Sequence, residues 1–224
     1  MNSDVHPAAE IAGRIDHTML DPLAVAEDVD RLCDEGVAWG FAAVCVNPVW
    51  VARCARRLRG SAVRVCSVAG FPLGAHLTEV KALEVRRAVE QGASEVDVVM
   101  LLSALQAGNL DQAREDLEEV VRAAFPASVK AILETGRLDP GRMVEAARTA
   151  MAAGATFVKT STGFGPGATV DGVRLLRETV GPKFGVKASG GIRTLEQALA
   201  MLTAGATRLG TSAGVMILKE ARIA

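Results

Sequence analysis

The sequence predicts an α/β fold, a (β/α)8 barrel of the TIM type, and three observations favour it. Eight short apolar segments alternate with longer amphipathic ones along the chain. The apolar segments, such as residues 42–46, are almost continuously hydrophobic, which is typical of parallel strands buried on both faces. No linker, low-complexity stretch or change in composition interrupts the alternation. We expect one barrel domain over residues 1–224, with residues 1–13 as a short N-terminal helical extension.

Each element is predicted from its own pattern. The apolar runs that predict strands are residues 14–19, 42–46, 63–69, 95–100, 128–134, 156–160, 184–188 and 207–210. The amphipathic runs that predict helices are residues 25–35, 49–58, 77–91, 110–125, 140–152, 170–180 and 195–202, with a last helix from residue 213. Local signals agree, since Thr194 and Gln197 form a capping box and glycines follow three helices: Gly92, Gly154 and Gly205. An open, doubly wound sheet is the alternative, and only the count of eight strands speaks against it.

Composition excludes several classes of function. Half of the 224 residues are hydrophobic, enough for a full core, and the formal net charge of -1 gives no footprint for nucleic acid or an anionic membrane. The four cysteines show no C-x-x-C spacing and are expected to be reduced in a cytoplasmic protein. No apolar run resembles a signal peptide or a membrane span. The three histidines are widely separated, so we do not expect a metal site built from them.

Two lysines stand where strands end. Lys159 closes an apolar strand and is followed by a small polar, glycine-containing turn, and Lys187 has a similar context in the next strand. Because side chains alternate along a strand, the two lysines are expected on the same face of neighbouring strands. Two ammonium groups in a poorly solvated pocket disfavour each other's charge, so one lysine can be an uncharged amine that attacks carbonyls. The alternative is an ordinary lysine with a packed stem and a solvated head.

Buried acidic positions accompany these lysines. Asp97 lies in the middle of the apolar fourth strand, where a lone carboxylate is costly and a partner is expected. The same reasoning covers Asp16 on the first strand and Lys130 and Glu134 on the fifth, some of which should pair with one another. A structural ion pair and a catalytic role stay equally open on this evidence.

Glycine-rich turns follow three consecutive strands. Gly190 and Gly191 come after the seventh strand, and the segment from Gly210 through Ser212 leads from the eighth strand into a helix. Backbone N–H groups beside a helix N-terminus bind anions, and the loops after strands seven and eight commonly bind phosphate in barrels. Gly163 could add a third wall. Each glycine run alone is more typical of a tight turn, and their joint occurrence after three consecutive strands is the stronger signal.

Motifs along essentially the whole chain resemble those of the deoxyribose-phosphate aldolase family. They are Asp16-His17-Thr18, residues 44–48, residues 70–74 followed by His76, Glu95-Val96-Asp97, and residues 130–136, 159–163 and 187–194. The resemblance implies a class I aldolase on a (β/α)8 barrel that uses no cofactor and no metal. Its substrate would be 2-deoxy-D-ribose 5-phosphate and its products D-glyceraldehyde 3-phosphate and acetaldehyde, within deoxyribose phosphate catabolism. A homodimer is possible.

The resemblance also implies a role for each matching residue. Lys159 would form the Schiff base, Lys187 would be the second lysine and Asp97 would transfer protons. The supporting positions would be Asp16, Cys45, Lys130 and Thr160. The phosphate-binding positions would be Gly163, Gly190, Gly191, Gly210 and Ser212.

The chain departs from the family pattern at a few positions. Leu101 stands where many members have asparagine, and Asp21 stands where many have lysine. Some members use a tyrosine near the C-terminus for proton transfer, whereas this sequence contains no tyrosine. Proton transfer would then fall to Asp97, Lys187 and water. The competing functions are a different phosphate-handling barrel enzyme, such as an epimerase or a transaldolase-like aldolase, and a sugar-phosphate-binding protein without activity.

Overall fold

The computed structural model describes residues 7–223, in which eight parallel strands close into a barrel. Each strand pairs with the next along the chain, and the eighth pairs with the first, where Leu209 lies beside Ile15. The strands are β1 Ile15–Met19, β2 Ala43–Val46, β3 Arg64–Ala69, β4 Glu95–Val99, β5 Ser128–Ile132, β6 Phe157–Lys159, β7 Gly185–Ser189 and β8 Arg208–Thr211. The predicted (β/α)8 barrel is confirmed, and the open sheet is wrong.

Helices follow the strands and surround the barrel. They are α1 Pro7–Ala12, α2 Ala26–Trp39, α3 Val51–Arg57, α4 Thr78–Glu90, α5 Leu102–Ala107, α6 Leu110–Ala124, α7 Pro140–Ala152, α8 Val170–Val180, α9 Leu195–Thr203 and α10 Gly214–Ile223. Helix α2 runs four residues past its prediction and ends at Gly40, whose φ of 69° is left-handed. The capping box of Thr194 and Gln197 at the start of α9 is confirmed.

The predicted N-terminal extension, residues 1–13, lies partly outside the described residues. Its described part contains α1, which precedes β1 and packs against α10 at the other end of the chain. Ile11 and Ala12 of α1 are buried in the core. That residues 1–224 form a single domain stays a prediction.

The barrel wall separates two kinds of interior. Alternate residues of β4 show this, because Val96 and Val98 join the large apolar core between barrel and helices, while Asp97 points into the barrel. The barrel interior holds a small apolar cluster and a group of charged side chains. The apolar cluster is Ala43, Cys45, Cys66 and Val68. All four cysteines carry buried, free thiols.

A buried ion pair supports the strand that carries Asp97. The Lys81 ammonium of α4 donates to Asp116 Oδ2 of α6 at 2.8 Å and to the Val99 carbonyl at 3.1 Å. Thr78 donates to the other Asp116 oxygen at 2.8 Å. Lys81 therefore ties two helices to the end of β4. Within residues 7–223, the helices fall short of the length and hydropathy that crossing a bilayer requires.

Candidate active site

The two strand-end lysines lie side by side, as the sequence predicts. Lys159 on β6 is the direct register partner of Lys187 on β7. Both ammonium groups donate to one oxygen, Asp97 Oδ2, at 2.8 Å from Lys159 and 2.7 Å from Lys187. The two cations are therefore joined through a shared carboxylate, which offsets the repulsion expected between two bare ammonium groups.

The second oxygen of Asp97 faces a third lysine. Lys130 Nζ lies 2.9 Å from Asp97 Oδ1, and the Cys66 thiol lies 3.2 Å from the same oxygen. Lys130 and Asp97 are register partners on adjacent strands, β5 and β4. The predicted need of Asp97 for a partner is thus met by three lysines.

A lower layer of charges anchors these lysines. Asp16 on β1 accepts from Lys187 at 2.5 Å and from Arg208 at 2.6 Å. Glu95 on β4 lies 2.7 Å from Lys130 and 3.1 Å from Arg208. The expectation that some of the buried charged positions pair with one another is met by Asp16 and Lys130, which lie 3.6 Å apart. The result is a continuous ionic network inside the barrel.

Burial and attraction compete for the charge of each member. Burial opposes ionisation of Asp97, but Lys130, Lys159 and Lys187 together hold its pKa well below the usual range. The pKa of Asp16 is lowered in the same way, because its attraction to Lys187 and Lys130 outweighs the effect of burial, which raises that pKa. Burial lowers the pKa of Lys187, yet Asp16 and Asp97 raise it further than burial lowers it. Lys187 is therefore a firmly held cation at neutral pH.

The network carries one more buried base than buried acids. Its members are Lys130, Lys159, Lys187 and Arg208 opposite Asp16, Glu95 and Asp97. Lys159 pairs with a single carboxylate, whereas each of the other three bases contacts at least two. Lys159 is thus the base with the fewest carboxylate partners in the network.

A cavity of about 390 Å³, the reaction cavity, opens at the C-terminal ends of the strands. Lys159 borders it, while Lys130 and Lys187 lie beneath. The loops after β6, β7 and β8 supply much of its wall. All five residues expected to bind phosphate line it: Gly163, Gly190, Gly191, Gly210 and Ser212. The geometry brings the predicted anion loops and the predicted nucleophile into one cavity.

Glycine is required in this cavity wall for two different physical reasons. Gly190 and Gly191 adopt left-handed φ values of 87° and 80°, which side chains rarely tolerate. Gly210 is required by a close approach, because a Cβ there would lie 2.9 Å from Lys187 Cε. Gly210 therefore makes room for the second lysine as well as lining the cavity.

Two sets of acidic and thiol ligands lie close enough to hold a cation. One is Cys45, Cys66 and Asp97, and the other is Asp16, Cys66 and Glu95. The Lys130 ammonium already lies among them, 3.2 Å from Cys66 Sγ and 2.9 Å from Asp97 Oδ1. Burial also raises the pKa of the Cys66 thiol well above its usual value, which disfavours the thiolate that metals bind. The positive charge that these acids need comes from lysine and from Arg208.

Sequence comparison agrees with this arrangement. The sequence model of the DeoC/LacD family of aldolases matches residues 11–221. This chain belongs to the DeoC/LacD aldolase family. The family match covers all eight strands of the barrel and every residue of the ionic network. The chain is therefore an aldolase, a carbon–carbon lyase.

Named relatives of this aldolase lie close in sequence and in structure. The deoxyribose-phosphate aldolase of Thermococcus gammatolerans is 54% identical over 218 residues, covering 95% of this chain and 97% of that protein. That of Streptococcus sanguinis is 52% identical, covering 92% and 94% of the two chains. The crystallised deoxyribose phosphate aldolase of Aeropyrum pernix is 36% identical with a TM-score of 0.89, covering 96% of this chain and 92% of that one.

Two expected supporting residues of the aldolase lie at different distances from the network. Cys45 is buried inside the barrel, where it is the register partner of Cys66. Thr160 instead joins two strand ends, since its hydroxyl donates to the Ser189 carbonyl at 3.2 Å and accepts from the Ser189 N–H at 3.0 Å. Within the described chain, the Thr160 hydroxyl bonds to backbone and forms no hydrogen bond with the charged groups of the network.

The two departures from the family pattern also have clear positions. Asp21 lines the reaction cavity, and its carboxylate accepts from the Leu23 N–H at 2.8 Å. Leu101 precedes α5 and packs partly buried against the apolar core. Only Asp21 therefore faces the space where substrate would bind.

Sequence reasoning missed Arg208 and the direction of Glu134. Arg208 begins β8 in the same alternation phase as Gly210, which is the signal that could have placed it inside the barrel. Glu134, predicted at the end of the fifth strand, is the one of the three buried charged positions that does not join the ionic network. The strand ends at Ile132, and Glu134, with a left-handed φ of 55°, turns away to Thr162.

Proposed function

We propose that this aldolase catalyses the reversible cleavage of 2-deoxy-D-ribose 5-phosphate to D-glyceraldehyde 3-phosphate and acetaldehyde. The names of the relatives support the substrate. One observation carries the mechanism: of the three lysines that contact Asp97, only Lys159 borders the reaction cavity. Lys159 is the Schiff-base lysine of the proposal, and its amine attacks C1 of the open-chain sugar.

Lys187 and Asp97 manage protons in this mechanism. Attack at C1 gives a carbinolamine, which must lose water before the imine forms. Lys187 and Lys159 both donate to the same oxygen of Asp97. Lys187 therefore lies close enough to donate the proton that the leaving water needs. Asp97 then passes protons between the two lysines and ordered water, since one of its oxygens contacts both ammonium groups.

The imine makes the carbon–carbon bond labile. Because acetaldehyde contains two carbons, the bond that breaks is C2–C3. Its electron pair moves toward the protonated imine nitrogen, which acts as the electron sink and leaves an enamine. Protonation of the enamine at C2 and hydrolysis release acetaldehyde and restore Lys159.

The loops after β6, β7 and β8 are proposed to hold the phosphate. Their support is the gathering of Gly163, Gly190, Gly191 and Ser212 around one cavity with Lys159. Backbone N–H groups at such turns bind anions without adding a side-chain charge. Phosphate binding there would fix C1 near Lys159 and supply binding energy remote from the reacting bond.

Kinetics with one variant pair tests the proposal. Lys159→Arg keeps the positive charge but cannot form an imine, so cleavage followed by a coupled glyceraldehyde 3-phosphate assay should fall below detection. Lys183→Arg makes the same exchange at an exposed lysine and should keep parental turnover. Near-parental cleavage by Lys159→Arg would refute the assignment.

Oligomeric state and location belong to the same proposal. A homodimer is supported by exposed apolar side chains in α4 and in the segment before it: Leu73, Leu77, Val80 and Leu83. The relative from Aeropyrum pernix is described as tetrameric. A cytoplasmic location is supported by the free thiols. Sedimentation equilibrium of the purified protein tests the first, and a monomer at micromolar concentration would contradict it.

A further inference from the structure

Asp21 is an exposed acid in the wall of the reaction cavity that the mechanism above does not use. It follows β1, and within residues 7–223 it is the only acidic residue that lines this cavity. The cationic residues of the same lining are Lys159 and Arg193. The loops proposed to hold the phosphate therefore share their cavity with one carboxylate.

The pairing of β1 with β8 brings Asp21 to the side of the cavity that is proposed to bind phosphate. His17 on β1 is the register partner of Thr211 on β8. Ser212 is the residue after Thr211, and Asp21 lies just past the end of β1 at Met19. Because the two strands are parallel neighbours, the loops that carry Asp21 and Ser212 leave adjacent strand ends.

A local turn holds Asp21 in place at the cavity wall. One carboxylate oxygen accepts from the Leu23 N–H at 2.8 Å, and the Asp21 carbonyl accepts from the Ala24 N–H at 3.2 Å. Among the described residues, no lysine or arginine lies within salt-bridge distance of Asp21. A carboxylate without a cationic partner is not neutralised locally, so its negative charge acts on whatever enters the cavity.

The cavity is small enough for this charge to act on a bound phosphate without touching it. A sphere of 390 Å³ is about 9 Å across. At an ionic strength of about 0.01 M the Debye length is about 30 Å, so salt hardly screens two charges at that separation. Coulomb's law in water then gives a repulsion between one carboxylate and a phosphate dianion that weakens binding about fivefold. An uncharged sugar experiences no such repulsion.

We propose that Asp21 is a specificity-determining residue, whose carboxylate lowers the affinity of the reaction cavity for a phosphate dianion. It thereby narrows the preference of the enzyme for phosphorylated over unphosphorylated deoxyribose. The inference rests on the proposed function, because that function supplies the phosphorylated substrate.

Kinetics with two substrates measure this effect. The decisive quantity is the ratio of kcat/KM for 2-deoxyribose 5-phosphate to kcat/KM for 2-deoxyribose, because a change in the Schiff-base chemistry common to both cancels. At about 0.01 M ionic strength, Asp21→Asn should raise this ratio about fivefold and lower KM for 2-deoxyribose 5-phosphate by the same factor. Asp21→Lys should raise the ratio about 25-fold, since it changes the charge by two units.

Salt gives a readout that a merely structural role would not move. In about 1 M KCl the Debye length is about 3 Å, which is shorter than the separation of the charges. The ratios of Asp21→Asn and Asp21→Lys should then return to within about twofold of the parental ratio.

Two further variants separate the charge from the turn and from the net charge of the protein. Asp21→Asn keeps an oxygen that can accept from the Leu23 N–H, whereas Asp21→Ala removes it, so a charge effect raises the ratio equally in both. Asp139→Asn is the matched control. Asp139 is also exposed and accepts a backbone N–H, from Arg142 at 2.9 Å, but does not line the reaction cavity. Its substitution should leave the ratio within about twofold of the parental value.

Three results for these variants would overturn the inference. An unchanged ratio and KM in Asp21→Asn at low ionic strength show that the carboxylate does not act on the phosphate. A gain that persists in about 1 M KCl, or that Asp21→Ala does not share, shows that Asp21 shapes the loop instead. A gain of the same size in Asp139→Asn shows an effect of net charge alone. A parental enzyme that does not cleave 2-deoxyribose 5-phosphate would refute the proposed function, whereas parental cleavage with any of these three results refutes this inference alone.

Discussion

Replacing Asp97 by asparagine should destabilise the barrel strongly, because it removes the one carboxylate that three lysines share. Lys130, Lys159 and Lys187 lie 2.7 to 2.9 Å from its oxygens, and both Asp97 and Lys130 are fully buried. An asparagine of the same shape leaves those ammonium groups buried with fewer anions. Breaking a buried pair by removing one partner typically costs about 3–5 kcal/mol.

That loss is large against a total stability of about 5–15 kcal/mol for a folded domain. For a chain of this size, each kcal/mol shifts Tm by about 2–4 °C, so the variant should melt about 6–20 °C lower. Calorimetry and urea unfolding at pH 7 measure the effect. Asp171→Asn is the matched control, because 93% of that side chain is exposed and its loss should change stability by less than about 0.5 kcal/mol.

The difference between the parent and Asp97→Asn should depend on pH in a definite direction. The pKa of Asp97 lies below its ordinary value of 3.8, so its carboxylate stabilises the fold above that pH. As the pH falls below about 4, the parent loses this contribution and the two unfolding curves converge. Adding Lys130→Met to Asp97→Asn should recover part of the stability, since it removes one unpaired cation. A variant as stable as Asp171→Asn at pH 7 would refute the reasoning.

Three further predictions follow from other contacts. Ser212→Asp should raise KM for 2-deoxyribose 5-phosphate at least about tenfold while leaving unphosphorylated deoxyribose unaffected, and steady-state kinetics with equal losses on both would contradict the phosphate site. Lys81→Met should lower the unfolding free energy by about 3–5 kcal/mol by stranding Asp116, and urea titration of this variant and of Lys81→Met/Asp116→Leu should show recovery in the double variant. Lys187→Leu should slow imine formation with acetaldehyde at every pH tested, because it removes the proton donor; stopped-flow rates equal to the parent would exclude that role.

The strands could be predicted from the sequence because burial on both faces leaves a strong local signal. Residues 42–46 are apolar throughout, and the observed strands start and stop within two residues of the predictions. Helix α5 escaped prediction, since its six residues follow Leu101 without a polar cap or a clear period. Short helices are stabilised by tertiary contacts that a local pattern does not contain.

The lysine pair could be predicted because alternation fixes which side chains share a face. The extent of the ionic network could not be predicted, because Asp16 and Arg208 are far apart in sequence and meet only when β8 pairs with β1. Glu134 shows the limit of the same rule. The alternation rule applies only within a strand, and β5 ends at Ile132. The left-handed φ of Glu134 then directs its side chain toward Thr162.

The Schiff base on Lys159 can be trapped covalently by reduction, and this trapping tests the proposed mechanism most directly. Parental protein incubated with acetaldehyde and sodium borohydride should gain one reduced two-carbon adduct, and peptide mass spectrometry should place it on Lys159. The Lys159→Arg variant should gain none. An adduct on Lys130 or Lys187, or unmodified parental protein under conditions where it cleaves substrate, would contradict the central claim that Lys159 forms the Schiff base.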